Sequence, residues 1–368
     1  MNPRNILLVK SHSMGIGDLL RSSAAWAVLH ARWPGVQLHL LMLSKHAGYP
    51  SEDFIRGHHL LASAHFVTVK TGNPGGGAQH SVPMSAVCHA VAQALQGQTI
   101  DWVIDFESSG LKTAWLTRWI AKRKGARSVG IAQFPLRRFF YDLAAPSTHK
   151  YRAQHELARE MDYTERDFVA LAALGLARDG QRIVLQPGPE GRAWRRAHPI
   201  ARPGRKTVVL NIGCGTADAV VKRPQLDALV ACCVALYARE PFDLHLSGAA
   251  FEGKVNAAFA ALFAQALQQA GYALGAPAGC TLVDWSGALS LDALTGLLQQ
   301  ADLVVSSDSG PYHMAVGLGV PTLCWFNFDT PPSYHCAEDV ACMVLPQPAD
   351  FAATAQHLLR SRPDVNGA

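Results

Sequence analysis

The chain has 368 residues, of which 49% are hydrophobic and 17% charged, with a net charge of +5. That length and apolar share fit two ordinary domains with extensive cores and exclude a disordered chain. The charge is too small to argue for nucleic acid, although it suits an anionic ligand or a membrane surface.

Along the chain, short β-branched or leucine-rich strands alternate with amphipathic helices. This is the pattern of parallel sheets covered by helices on both faces. Strands are expected at 6–10, 36–43, 65–70, 101–108 and 128–132, with helices at 18–32, 84–96 and 110–124 and a long one at 154–174. Residues 178–205 are rich in Pro, Gly and Arg without periodicity and read as a connection with little structure of its own. A second series follows, with strands at 206–213, 242–248, 280–287, 302–307 and 321–326 and helices at 225–239, 255–270, 290–300 and 313–319. An amphipathic segment at 350–359 is assignable to either half. The expected division is a first domain at 1–178, a connection at 179–205, a second domain at 206–345 and a terminal helix within 346–368, its return to the first domain left open. Two Rossmann-like domains of this kind face each other across a cleft at the carboxyl ends of their strands.

Three strand-to-helix corners carry polar residues. The first is SHSMGIGD, where Gly15 and Gly17 allow close backbone approach and Asp18 reads either as a helix cap or as a general base. Its GIGDLL run lacks the third glycine of a dinucleotide fingerprint, so NAD is disfavoured there. The second is NIGCGTADAVVK, in which Gly213, Gly215, Thr216 and Lys222 suit a phosphate, with a solvated loop lysine as the plain alternative. The third is DSGPYH, which opens a helix whose N–H groups and dipole favour an anion. Asp308 reads there as an N-cap; Ser309, Gly310 and His313 read as turn residues or as ligands of a phosphate.

Two weaker features accompany them. A basic and aromatic stretch from Leu111 to Arg138 includes Lys112, Arg118 and Arg137. It reads as a solvated helix face or as a surface for an anionic acceptor or membrane headgroups. Glu252 follows a strand, where a carboxylate can bind ribose or sugar hydroxyls. The eight cysteines form no CxxC pair and read as reduced core thiols; Cys324, Cys336 and Cys342 lie close in sequence but match no zinc spacing, so no metal is assigned. No segment reads as a signal peptide or a bilayer span.

The run from Asp308 to Thr322, DSGPYHMAVGLGVPT, matches the pattern D-[ST]-G-x-x-H-x-A-x-x-x-G-x-P-T and resembles glycosyltransferase family 9, the heptosyltransferase family. ILLVKSHSMGIGDLL and DWVIDFESSGLKTAWLTRWIAKRKGARSVG are similar to that family's opening corner and its later strand, basic helix and R-x-G turn. The resemblance implies a GT-B fold and an inverting, metal-independent transfer of a heptose-like sugar. The donor implied is a nucleotide-diphosphate sugar, an ADP-sugar favoured, used as co-substrate with no further cofactor. It also implies Asp18 as the base and Lys222 as the counter-charge of the leaving diphosphate. Asp308, Ser309, Gly310 and His313, with Gly215 and Thr216, would hold the diphosphate, and Glu252 the nucleotide. The acceptor implied is a hydroxyl of lipopolysaccharide or another envelope glycan, met near Lys112 and Arg118. The setting implied is cytoplasmic, with peripheral contact at the inner membrane as an added expectation. A sugar-nucleotide 2-epimerase and a nonenzymatic nucleotide-sugar-binding protein are the alternatives.

Overall fold

The apolar runs become strands and the amphipathic runs become helices, in alternation. The computed structural model describes residues 2–12, 15–45, 48–71, 80–157, 163–214, 217–275, 279–328, 335 and 337–361. The chain divides into two units, Met1–Ile183 and Val184–Ala368.

The first unit begins β1 (Asn5–His12), α1 (Ile16–Leu20), α2 (Ser23–Arg32), β2 (Gln37–Ser44), α3 (Pro50–Arg56) and β3 (Ser63–Thr68). A short antiparallel pair, β4 (Lys70–Thr71) and β5 (His80–Ser81), precedes α4 (Met84–Ala94). Then come β6 (Trp102–Asp105), α5 (Lys112–Lys124), β7 (Arg127–Ile131), α6 (Pro135–Arg138), β8 (Leu143–Ala145), α7 (Thr148–Gln154) and α8 (Tyr163–Leu171). The main sheet runs β3-β2-β1-β6-β7-β8, all parallel. Side-chain alternation along β1 sends Leu7 and Val9 into a core under α4 and α5, while Ile6 and Leu8 are buried on the other face.

The second unit contains α9 (Pro189–Ala197), β9 (Lys206–Asn211), a 3-10 turn (Ala217–Lys222), α10 (Leu226–Arg239), β10 (Phe242–Ser247) and α11 (Gly253–Gln269). It continues with β11 (Leu282–Asp284), α12 (Leu291–Leu298), β12 (Leu303–Ser307), α13 (Gly310–Gly317), β13 (Thr322–Phe326), β14 (Val340–Val344) and α14 (Pro348–Ser361). Its parallel sheet runs β11-β10-β9-β12-β13-β14. Both sheets therefore have the doubly wound order, in which the chain reverses its direction of growth beside the first strand. Ligands bind at the carboxyl ends of the strands flanking that point. In the first unit these are β1 and β6; in the second they are β9 and β12.

Several expectations are corrected. The helix expected at 18–32 is two helices, because the Ser23 hydroxyl donates to the Leu20 carbonyl (2.6 Å) where α1 ends. The helix expected at 154–174 is likewise divided, with α7 ending at Gln154 and α8 beginning at Tyr163. Strands β8 and β14 were not expected at all.

The 179–205 stretch is no bare connection, since it holds α9, packed on α12 through glycines. A Cβ on Gly191 would strike the Asp292 carbonyl and the Thr295 hydroxyl, and one on Gly296 would strike Gly191. The Asp292 carboxylate accepts the N–H groups of Gly188 (2.6 Å) and Gly191 (3.0 Å), capping α9 from a neighbouring helix. The terminal helix α14 buries Phe351, Ala355, Leu358 and Leu359 in the core of the second unit.

Candidate active site

In the second unit, β9, β10 and β12 lie side by side. Asn211, the last residue of β9, ties their ends together. Its amide nitrogen donates to the Ser247 carbonyl (3.2 Å), and its oxygen accepts from the Ser309 hydroxyl (3.0 Å). Ser309, not Asp308, is the N-cap of α13, yet its hydroxyl faces β9 and makes no bond to the helix. The expected cap, Asp308, instead pairs with Lys222, whose Nζ lies 2.6 Å from Oδ2. Gly310 and Pro311 open α13.

Lys222 ends the 3-10 turn, and the turn is clamped from β13. The Asn327 amide donates to the carbonyls of Val221 (2.7 Å) and Arg223 (2.6 Å), while the Trp325 indole donates to the Asn327 oxygen (3.0 Å). Ser307 donates to the Gly213 carbonyl (2.6 Å), joining the loop after β9 to the end of β12. Glu252 is buried; one of its oxygens accepts the Ala249 N–H (2.8 Å), and the other stands 4.0 Å from the Arg223 guanidinium. Gly213 makes room for it, because a Cβ there would overlap the Glu252 carboxylate. Lys222, Glu252, Asp308, Ser309 and Gly310 thus gather at the switch point. Gly215 and Thr216 lie outside the described residues.

His313 is buried, and its Nδ1 shares a hydrogen bond with Nε2 of His335 (2.8 Å). Cys324 and Cys342 are register partners on β13 and β14, and Cys336 lies outside the described residues. Among the described residues, no group of three His, Cys, Asp or Glu side chains is arranged to hold a metal ion.

In the first unit, Asp18 sits in the first turn of α1 but does not cap it. Gly15 is the N-cap, in extended backbone (φ −73°, ψ 126°), so the left-handed freedom expected of it is not used. The Asp18 side chain is 40% exposed and pairs with Arg21 at 3.2 Å. Across the switch point, the Glu107 carboxylate accepts the Ser11 N–H (2.8 Å) and its own N–H reaches Asp105 (2.9 Å). Lys10 is committed to Asp167 (2.7 Å) and the Ser22 hydroxyl (2.7 Å).

The basic stretch divides sharply. Arg137 is wholly buried, bonded to the Ile131, Ser109, Gly110 and Glu107 carbonyls, to Asp105 (3.0 Å) and to Tyr141 (2.6 Å). Burial raises the Asp105 carboxyl to about 6 against the opposing pull of Tyr141 and Arg137, and it raises the Tyr141 phenol as well. Gly130, on β7, leaves room for the Tyr141 ring. Arg118 pairs with Asp142 (2.6 Å) and is partly exposed. Lys112 and Arg138 are exposed, as are Trp115, Leu136 and Phe139. Among the described residues, no helix is long and apolar enough to cross a membrane.

Sequence reading missed Asn211, Asn327, Arg223 and His335. Asn211 carried one usable signal, a polar residue ending an apolar strand at a switch point. The other three have meaning only through partners distant in the chain.

The family model of glycosyltransferase family 9 (heptosyltransferase) matches residues 255–345. No curated protein matches the chain. Among solved structures, Escherichia coli ADP-heptose lipopolysaccharide heptosyltransferase II is 15% identical, with 96% of this chain and 98% of that one covered and a TM-score of 0.61. E. coli heptosyltransferase WaaC with ADP-2-deoxy-2-fluoro heptose is 19% identical, covering 97% and 99%, at 0.60. The UDP-GlcNAc 2-epimerase of Methanocaldococcus jannaschii is 10% identical, covering 97% and 93%, at 0.52. The matched segment runs from α11 through β14, and the two-sheet fold is similar to that of solved heptosyltransferases over nearly the whole length of the chain, which is the GT-B architecture.

Proposed function

We propose that the chain is an inverting, metal-independent glycosyltransferase that moves a heptose-like sugar from a nucleotide-diphosphate donor, an ADP-sugar by preference, to an acceptor hydroxyl. The observation that carries this reading is the pairing of Lys222 with Asp308 beside the N-terminus of α13. A fixed cation and a helix N-terminus stabilise the charge that builds on a leaving diphosphate. In the reaction, the Asp18 carboxylate takes the acceptor proton, the freed oxygen attacks the anomeric carbon from the far side, and the bond to the β-phosphate oxygen breaks. Ser309 and the first N–H groups of α13 would hold the diphosphate. His313, whose Nδ1 is engaged by His335, would reach it through Nε2. The Glu252 carboxylate would take the ribose hydroxyls.

The acceptor belongs to the first unit in this reading. Exposed Lys112 and Arg138 together with Trp115, Leu136 and Phe139 suit an anionic amphiphile, such as the lipopolysaccharide of a bacterial envelope, and peripheral contact with a membrane surface. Because the epimerase shares the fold, two assays are needed. A thermal-shift panel of ADP-, UDP-, GDP- and CMP-sugars identifies the donor by its upward shift. Release of nucleoside diphosphate only when acceptor is present then marks transfer, whereas acceptor-independent turnover would favour epimerisation. A native chain that no nucleotide sugar stabilises would refute the reading.

A further inference from the structure

Arg223 follows Lys222 directly, yet its surroundings differ. Lys222 is locked to Asp308 at 2.6 Å, and that carboxylate takes up much of its charge. The Arg223 side chain is only 20% exposed, and its Nη2 stands 4.0 Å from Glu252, too far for a hydrogen bond. Its Nε is buried with no hydrogen-bond partner among the described residues. A buried donor left in that state is costly, and native structures rarely keep one without a use. The backbone beside it is fixed, since the Arg223 carbonyl is held by Asn327 at 2.6 Å, so the freedom that remains belongs to the guanidinium. Burial raises the Cys214 thiol, and the positive charges of Lys222 and Arg223 both temper that rise. Both cations are therefore near the end of β9, where the diphosphate would lie.

We propose that Arg223 is a second cation for the donor, meeting a phosphate oxygen through the N–H that the protein leaves unbonded, and that it makes the site selective for nucleoside diphosphates over monophosphates. The inference rests on the donor reading given above. A small turn of the guanidinium away from Glu252 presents Nε–H, and the 4.0 Å separation leaves little to break. A departing diphosphate carries one charge more than the bound donor; Lys222 shares its charge with Asp308, and Arg223 adds a planar fork suited to phosphate.

The test is calorimetric binding of ADP, UDP and GDP, and of the matching monophosphates, to the full chain and to its Arg223→Gln, Arg223→Lys and Lys222→Ala variants. Arg223→Gln should weaken the preferred diphosphate by about 10- to 100-fold and the matching monophosphate by less than about twofold. Arg223→Lys should recover part of the loss, because it restores charge without the fork. If the native chain binds a diphosphate, Lys222→Ala weakens it and Arg223→Gln leaves it unchanged, this inference fails while the donor reading stands. If the native chain binds none of the three diphosphates, both fail. Equal loss of mono- and diphosphate in Arg223→Gln, with a lowered melting temperature, would mark Arg223 as structural and also overturn the inference.

Discussion

Gly213→Ala isolates the close approach between the loop after β9 and the Glu252 carboxylate. The added Cβ would overlap Oε1 and Cδ of Glu252, and the farther oxygen, Oε2, would lie at 2.6 Å, inside the 3.0 Å that real contacts essentially never breach. The carboxylate is the end of a flexible side chain, so it moves and the fold survives. In moving, it gives up the Ala249 N–H at 2.8 Å and its stand-off from Arg223. A hydrogen bond to a charged group is worth about 1.5–3 kcal/mol, which sets the expected loss at about 2 kcal/mol. For a unit of this size, that lowers the melting temperature by about 4–8 °C. A Glu252 that no longer meets the ribose should also weaken donor binding by about 10- to 100-fold. Gly253→Ala is the control, since its Cβ would meet only the Ser286 Cβ at 3.7 Å and its backbone is already helical (φ −55°). Scanning calorimetry and isothermal titration with the preferred nucleotide read both quantities. A Gly213→Ala protein with native melting temperature and native donor affinity would refute the assigned Glu252 role and the packing argument together.

Asp18→Asn should lower turnover by about 10²- to 10⁴-fold while donor affinity stays native, as expected for loss of a general base; native kcat would remove Asp18 from the mechanism. Gly130→Ala drives a methyl into the Tyr141 ring, whose Cδ1 would lie at 2.9 Å with two other ring carbons closer still. It should cost the first unit about 1–3 kcal/mol in denaturant unfolding, and a neutral result would contradict the Tyr141–Arg137–Asp105 packing. His245 is buried, and its Nδ1 accepts the Trp285 indole N–H (3.1 Å); burial lowers its pKa from 6.5 to about 4. The folded state therefore favours neutral imidazole. The stability this contributes is present above pH 6.5 and lost as the pH falls through about 4, at most about 3 kcal/mol. His245→Phe should flatten that part of the acid melting profile, and an unchanged slope between those pH values would show that His245 does not supply it.

The alternation of strands and helices, the doubly wound class and the DSGPYH corner were legible in the sequence because they rest on local pattern. Apolar runs of strand length recur, and one corner holds an acid, a hydroxyl, a glycine and a histidine. What escaped has a common physical origin. Helix α9 was hidden because Gly188 and Gly191 look like chain breakers, although Gly188 makes room for the Asp292 carboxylate and Gly191 packs backbone to backbone on α12. Strands β8 and β14 lie at sheet edges, and β8 spans only Leu143–Ala145, too short to show a period. Arg137 reads as one basic residue among many, and only the fold brings six backbone and side-chain oxygens around it. Asp308 was expected as a cap because caps are local, whereas its partner Lys222 is 86 residues away.

The bracket made by Trp325 and Asn327 reaches further than its two bonds. An amide can present its oxygen or its nitrogen to a neighbour, and only the nitrogen can serve two carbonyls at once. By donating to the Asn327 oxygen, the indole on β13 settles that choice, so that the –NH2 group faces the carbonyls of Val221 and Arg223. Reversed, the same amide would set three oxygens against one another and release the turn. A tryptophan in the sheet core, touching no substrate, is thus the orientation pin for two adjacent cations, and the polarity of a single side-chain amide decides whether they are held in advance or left to wander.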